Sequence, residues 1–238
     1  MSERSTTTRE RIVHAAATLL AEGGRDAVST RAVGAAAGVQ APTIYRLFGD
    51  KQGLLDAVAS HGFAVYLRGK TSREHDPDPV EDLRRGWDLH VEFGTTNPAF
   101  YTLMYGDFRP GAAPEAVRES AEILHGLVLR IAEAGRLRVG VERAARMIHS
   151  ASSGVVLSLI STAPGDRDPD LSRLVREAVL AAVTTDPPGE APDPADDRAA
   201  SHAIALKAAL PRSTPALTPA ERDLLSEWLD RISRAGSR

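Results

Sequence analysis

The chain has 238 residues, a formal net charge of −3, no cysteine, and few aromatic side chains among abundant Ala, Leu and Val. That length allows two domains, and the lack of cysteine excludes a disulfide framework and a thiolate metal site. Apolar stretches such as that around 155–160 are far too short to span a bilayer, and the polar N-terminal residues carry no secretory pattern, so a cytoplasmic protein without a membrane partner is expected.

In chain order, a first helix is predicted from near Thr7, because Thr7 and Glu10 have capping-box spacing. Ile12, Ala16, Leu19 and Leu20 form its apolar stripe, and the E-G-G at 22–24 ends it. Residues 30–51, T-R-A-V-G-A-A-A-G-V-Q-A-P-T-I-Y-R-L-F-G-D-K, then read as a short helix, a glycine turn, a second short helix and the start of a third. Val33, Ala36 and Ala37 give the first of these one apolar face. Gly38 supplies the permissive backbone that ends it, and Val39 enters the core behind. In the next helix Ile44 and Phe48 point inward, which leaves Thr43, Tyr45 and Arg46 on other faces. Pro42 falls in its first turn, where proline is tolerated. This is a helix-turn-helix whose second helix suits a DNA major groove. Residues 1–51 hold seven Lys/Arg and five Asp/Glu, a net of +2, so the remainder carries −5. The positive end is the end that would meet phosphates.

On these residues the chain resembles the tetracycline-repressor family of bacterial transcriptional regulators. The resemblance covers 7–58 and rests on E-G-G at 22–24, Ser29-Thr30, A-G-V at 37–39, Thr43-Ile44-Tyr45, Phe48, and Lys51 followed by Leu54-Leu55. Two positions depart from the family pattern: Leu47 stands where an aromatic is usual, and Gly53 where glutamate is usual. The resemblance implies an all-α fold. A three-helix DNA-binding domain spans 1–51, a connector helix follows over about 52–70, and a larger helical domain for ligand binding and dimerisation spans 71–238. It implies a non-enzymatic repressor, a homodimer on a palindromic double-stranded operator, released by a small apolar or aromatic effector. The expected DNA contacts are Thr30, Arg31, Gln40, Ala41, Pro42, Thr43, Tyr45, Arg46 and Lys51. The alternative is a DNA-binding regulator or architectural protein without an effector, which would have no cavity in its body.

The fourth helix places Leu54, Leu55, Val58 and Phe63 inward and is followed by a proline-broken loop at 72–79. Helices are predicted over 80–96, 98–105, 114–134 and 141–162. The 114–134 helix has Val117, Ala121, Leu124, Val128 and Ile131 on one stripe. The 141–162 helix has Ile148, Val155, Leu159 and Ile160, with the small residues of 151–154 at its middle. Asp168-Pro169 reads as a cap and first-turn proline for a further helix bearing Leu171, Leu174, Val175, Ala178, Val179 and Ala182. The two long stripes predict the dimer interface. Residues 185–197 contain four prolines, five acids and no base, a solvated linker. Thr218 and Glu221 then form a capping box with Pro219 at the first helical position. Leu224, Leu225, Trp228, Leu229 and Ile232 form an apolar face behind it, expected to complete the core of the body.

Trp87, Phe93, Phe100, Tyr101, Met104, Tyr105 and Phe108 crowd most of the chain's aromatics into about twenty residues. With His125 they are the expected effector-binding residues, since apolar walls with a few hydroxyls suit a lipophilic ligand. No histidine pair has the spacing of a helical zinc site, and Ser150, Ser152 and Ser153 lack a nucleophile-elbow pattern. No cofactor, metal or catalytic residue is expected.

Overall fold

A computed structural model of the chain describes residues 2–68, 76–106, 113–185, 195–213 and 217–235. Its helices are α1 Ser2–Ala27, α2 Thr30–Ala37, α3 Ala41–Phe48, α4 Lys51–Arg68, α5 Pro79–Thr96, α6 Pro98–Tyr105, α7 Glu115–Glu133, α8 Val141–Ser161, α9 Leu171–Val183, α10 Ala195–Ser213 and α11 Pro219–Ala235. Among the described residues the only other regular features are a 3-10 turn at Pro164–Asp166 and an isolated bridge between Leu137 and Thr184. The fold is all-α.

The chain forms two compact units. The first comprises Met1–Glu74, Glu92–Ser120 and Leu159–Ser161. Its head is α1 to α4, closed over Ile12, Val13, Ala16, Leu20, Val28, Val33, Ala37, Ile44, Leu54, Leu55 and Val58, all buried. In the same unit α6 packs on α1 and α4. Gly62 of α4 makes that possible: a Cβ there would lie 2.3 Å from Cδ1 of Phe100. The ring of Phe63 meets Phe93 edge-on at 5.8 Å between centroids, Phe93 meets Tyr101 at 6.4 Å, and Tyr101 meets Tyr105 at 4.6 Å. These spacings are those of favourable aromatic pairs.

The second unit comprises His75–Val91, Ala121–Ser158 and Thr162–Arg238. Asp82, buried on α5, accepts from the Arg130 guanidinium of α7, which also donates to the carbonyl of Asp76 at 3.1 Å. Arg136 joins Asp78 at 2.6 Å, and its backbone carbonyl accepts from the amide of Thr185 at 3.0 Å. The Arg136 guanidinium holds the Asp78 carboxyl below the ordinary range. Arg84 forks onto Glu177 of α9 with contacts of 3.0–3.3 Å and lowers its carboxyl likewise. Asp82, Asp78 and Glu177 thus each meet an opposite charge, which is the condition for tolerating a buried or half-buried carboxylate there.

Several expectations shift. α1 begins at Ser2, so Thr7 and Glu10 lie inside the helix and form no capping box at its start. Nothing in the first residues breaks a helix, and propagation from a buried turn is cheap. The glycine turn holds nonetheless, with Gly24 at φ 65° interrupting the helical run. Ala36 and Ala121 are exposed, although each lies on a stripe read as apolar. Asp170, not Asp168, precedes α9; the Asp168 carboxylate instead accepts from the Asp170 amide at 2.9 Å in a local turn. Within the span read as a linker, Thr185 is buried and 195–197 are helical, while 186–194 lie outside the described residues. In α8, Val155 and Leu159 are buried in the chain itself, and Met147, Ser150, Gly154 and Leu157 face outward.

The capping box at Thr218 and Glu221 forms as read: the Thr218 amide and hydroxyl donate to the Glu221 carboxylate at 2.8 and 2.7 Å, and the Glu221 amide returns a bond at 3.3 Å. The apolar face behind it divides. Leu229 joins Ala203 and Leu210 of α10 in a small core with Leu217 and Leu225 beside it. Leu224, Trp228 and Ile232 stay about half exposed. The hairpin therefore has a small core of its own within the second unit.

Candidate nucleic-acid interface

The reading helix is positioned by a glycine turn and one buried side chain. Ser29, extended at φ −108°, caps α2 through its hydroxyl, which accepts from the Ala32 amide at 3.1 Å. Gly38 closes α2 in the left-handed region at φ 63°, where a side chain would be strained. The Val39 amide then bonds the Gly34 carbonyl at 2.9 Å. Gly34 has to be a glycine for that approach, since a Cβ would sit 2.9 Å from the Val39 carbonyl oxygen. α3 starts with Pro42 in its first turn, and the Thr43 amide bonds the Gln40 carbonyl at 2.9 Å. Ile44, fully buried, anchors the inner face. Phe48 is half-buried, with the Arg9 guanidinium 5.1 Å above its ring.

With Ile44 inward, Pro42, Tyr45 and Arg46 are exposed and Thr43 is half-buried. Tyr45 keeps 49% of its surface open, unusual for an aromatic residue in a packed head. Arg31, Gln40 and Lys51 are exposed, while Thr30 and Ala41 are half-buried. Thr30, Arg31, Gln40 and Ala41 share one open concavity of ≈ 460 Å³ with Gly34, Ala35, Gly38 and Val39. The expected contact residues therefore lie along α2, the turn, α3 and the first residue of α4. Chemically this surface offers hydroxyls, an amide and guanidinium groups to phosphate and base edges.

The α3–α4 junction differs from the sequence reading in one respect. The Asp50 carboxylate accepts from the Gly53 amide at 2.7 Å, so one of the free amides at the start of α4 is taken by the protein itself. Lys51 offers its charge from an end whose cap is already anionic. Gly53, where the family usually has glutamate, is explained by contact: a Cβ would lie 2.1 Å from the Phe48 carbonyl oxygen.

The expected effector residues divide between the two units. Phe93, Tyr101, Met104 and Tyr105 are buried in the first unit, where Phe100 is half-buried. The Tyr105 hydroxyl donates to Ser120 at 3.2 Å, and burial pushes it up from the usual phenol range. Trp87 is buried in the second unit, its indole N–H donating to the Ser172 hydroxyl at 3.0 Å. His125 is exposed on α7, and Phe108 lies outside the described residues. Sequence reasoning missed Phe63 as a member of the ring cluster. It also missed His90, which burial and then the neighbouring charge of His149 hold down to about 4. No metal-binding group of histidine and carboxylates occurs among the described residues, and none of their helices is long and apolar enough to cross a membrane.

The family model described as bacterial regulatory proteins, tetR family, matches residues 12–58. No curated protein matches in sequence. Among solved structures, a TetR-family transcriptional regulator from Haemophilus influenzae is similar, at TM-score 0.54 and 20% identity over 77% of this chain and 100% of its own. The fatty acid degradation regulator FadR from Bacillus halodurans is similar at TM-score 0.54 and 19% identity, over 73% of this chain and 92% of its own. The multidrug binding protein EbrR, complexed with imidazole, is similar at TM-score 0.56 and 21% identity, over 82% and 96%. Residues 12–58 are thus a DNA-binding head of the tetR family, on a chain with the fold of a tetR-family transcription regulator.

Proposed function

We propose that the chain is a ligand-responsive transcriptional repressor that binds a palindromic operator as a homodimer and leaves it when a small apolar effector binds. One observation carries the reading: α3 is pinned by Ile44 and turns Tyr45 and Arg46 outward beside Gln40 and Pro42. Two such helices related by a two-fold axis enter successive major grooves when their half-sites are about one helical turn or slightly more apart, roughly 34–36 Å or beyond. Arg46 and Thr43 read base edges, and Lys51 and Arg31 meet phosphates. The outward residues Met147, Gly154 and Leu157 of α8 and Leu174 and Ala178 of α9 support a dimer seam, because small residues let helices approach closely.

Effector binding is supported by the buried aromatic cluster of Phe93, Tyr101 and Tyr105. The similarity in fold to proteins described as multidrug-binding and as a fatty acid degradation regulator agrees with a lipophilic ligand. DNA and effector then weaken each other by the same factor; a coupling of about 1–3 kcal/mol gives roughly 5–150-fold release. The test is fluorescence anisotropy on an operator selected from a random DNA pool. Lys51→Ala weakens all sequences and flattens the salt dependence, whereas Arg46→Ala changes base preference. A broad screen of lipophilic molecules then finds ligands that lower operator affinity. Ligands whose affinity is the same with and without operator would overturn the release step and leave the architectural reading.

A further inference from the structure

The hairpin of α10 and α11 carries an apolar row that its own small core does not use. Leu224, Trp228 and Ile232 are 46%, 52% and 45% exposed in the chain. Spaced four apart, they lie in one narrow row along α11, and Leu206 of α10 is also about half exposed. Single exposed apolar residues are ordinary on a protein surface; an aligned row of three marks a contact surface.

We propose that this row seats a second copy of the chain, α11 against α11, antiparallel, with the two-fold axis at Trp228. The row is symmetric about that residue, with Leu224 four before it and Ile232 four after. Antiparallel pairing sets Trp228 on Trp228 of the second copy and Leu224 on its Ile232, so every large side chain in the row meets another.

The charges agree with this direction. Glu221, Asp223 and Glu227 precede or flank the axis on the N-terminal side, and Arg231 and Arg234 follow it. Antiparallel alignment lays the acidic half of one helix along the basic half of the other, whereas parallel alignment would set like on like. With every charge counted, Glu221, Arg222, Asp223 and Glu227 give the first half a net of −2, and Asp230, Arg231 and Arg234 give the second half +1; Glu227 and Arg231 also pair with each other along α11. Arg222 donates to the Leu217 carbonyl at 3.4 Å, and Asp230 accepts from Lys207 of α10 at 2.6 Å. The opposed helix dipoles favour the same arrangement. The proposal rests on the homodimeric reading and adds a contact which that reading does not contain.

The chain has no cysteine, so introduced thiols report the geometry directly. Under mild oxidation at micromolar concentration the double variant Leu224→Cys/Ile232→Cys of the full chain is expected to form a disulfide-linked dimer. Leu224→Cys alone and Ile232→Cys alone stay monomeric on a non-reducing gel. Trp228→Glu, at an exposed position that leaves the fold intact, weakens self-association by at least about tenfold in sedimentation. Absence of cross-linking in the double variant overturns the contact, and so does equal cross-linking in all three variants. If sedimentation still gives a dimer in those cases, the dimeric reading stands and only the α11 seat falls. A monomer that also fails to cross-link removes both. Neither readout involves DNA or effector, so operator binding is judged separately.

Discussion

The head and the terminal hairpin are both built from helices with one apolar face, but only the head covers that face. In α1 to α4 the inward side chains of Ile12, Val33, Ile44 and Leu54 are wholly buried, because a helix lies over each of them. In the hairpin, Leu229 is buried against α10 while Trp228, the residue beside it in sequence, is 52% exposed. Two helices can cover only the sides they turn toward each other, and a face that turns outward needs a further element. An apolar face in sequence therefore states a demand for burial; the number of neighbours decides whether one chain meets it.

The strongest way to break this comparison is to truncate one anchor in each region. Ile44→Ala should cost about 2–5 kcal/mol, since it leaves a cavity in a closed core, whereas Trp228→Ala in dilute protein should stay within about 0.5 kcal/mol. Thermal melts read both, and equal losses would mean the hairpin row is covered within the chain. A finer test is Gly53→Ala. Its Cβ meets the Phe48 carbonyl oxygen, so α3 and α4 must separate, at a cost of about 1–3 kcal/mol. Operator affinity should fall even at temperatures where the head remains folded, and an unchanged melt with full affinity would show that the junction yields freely. The smallest effect is expected at the hairpin cap. Thr218→Ala removes an N-cap whose loss costs about 0.5–2 kcal/mol. Circular dichroism should show less helix with the head unaffected, and undiminished helicity would make the cap ornamental.

The helix-turn-helix was legible because its constraints are local. A left-handed glycine at 38, a buried Ile44 and a proline in the first turn leave marks at fixed spacing. The capping box at Thr218 was legible for the same reason. The early start of α1 was not, since helix propagation through ordinary polar residues has no marker. The sides on which Val155 and Leu159 are buried were hidden as well, because a helix with apolar residues around much of its girth does not say which arc faces inward. α10, rich in alanine, gave no stripe to read. The division of the aromatic residues between two units was beyond sequence. Trp87 and Phe93 share α5, yet the division between compact units falls between them, at Val91 and Glu92.

Gly53 also sets a gear ratio. With the Phe48 carbonyl pressed so near its Cα, and the Asp50 carboxylate holding its amide, the end of α3 is locked to the first turn of α4. α4 is 18 residues long, about 27 Å at the rise of an α-helix. A tilt of α4 about its far end is therefore delivered to Tyr45 and Arg46 at about 0.5 Å per degree, with no slack at the coupling. A few degrees amount to the difference between a guanidinium within hydrogen-bonding range of a base edge and one beyond it.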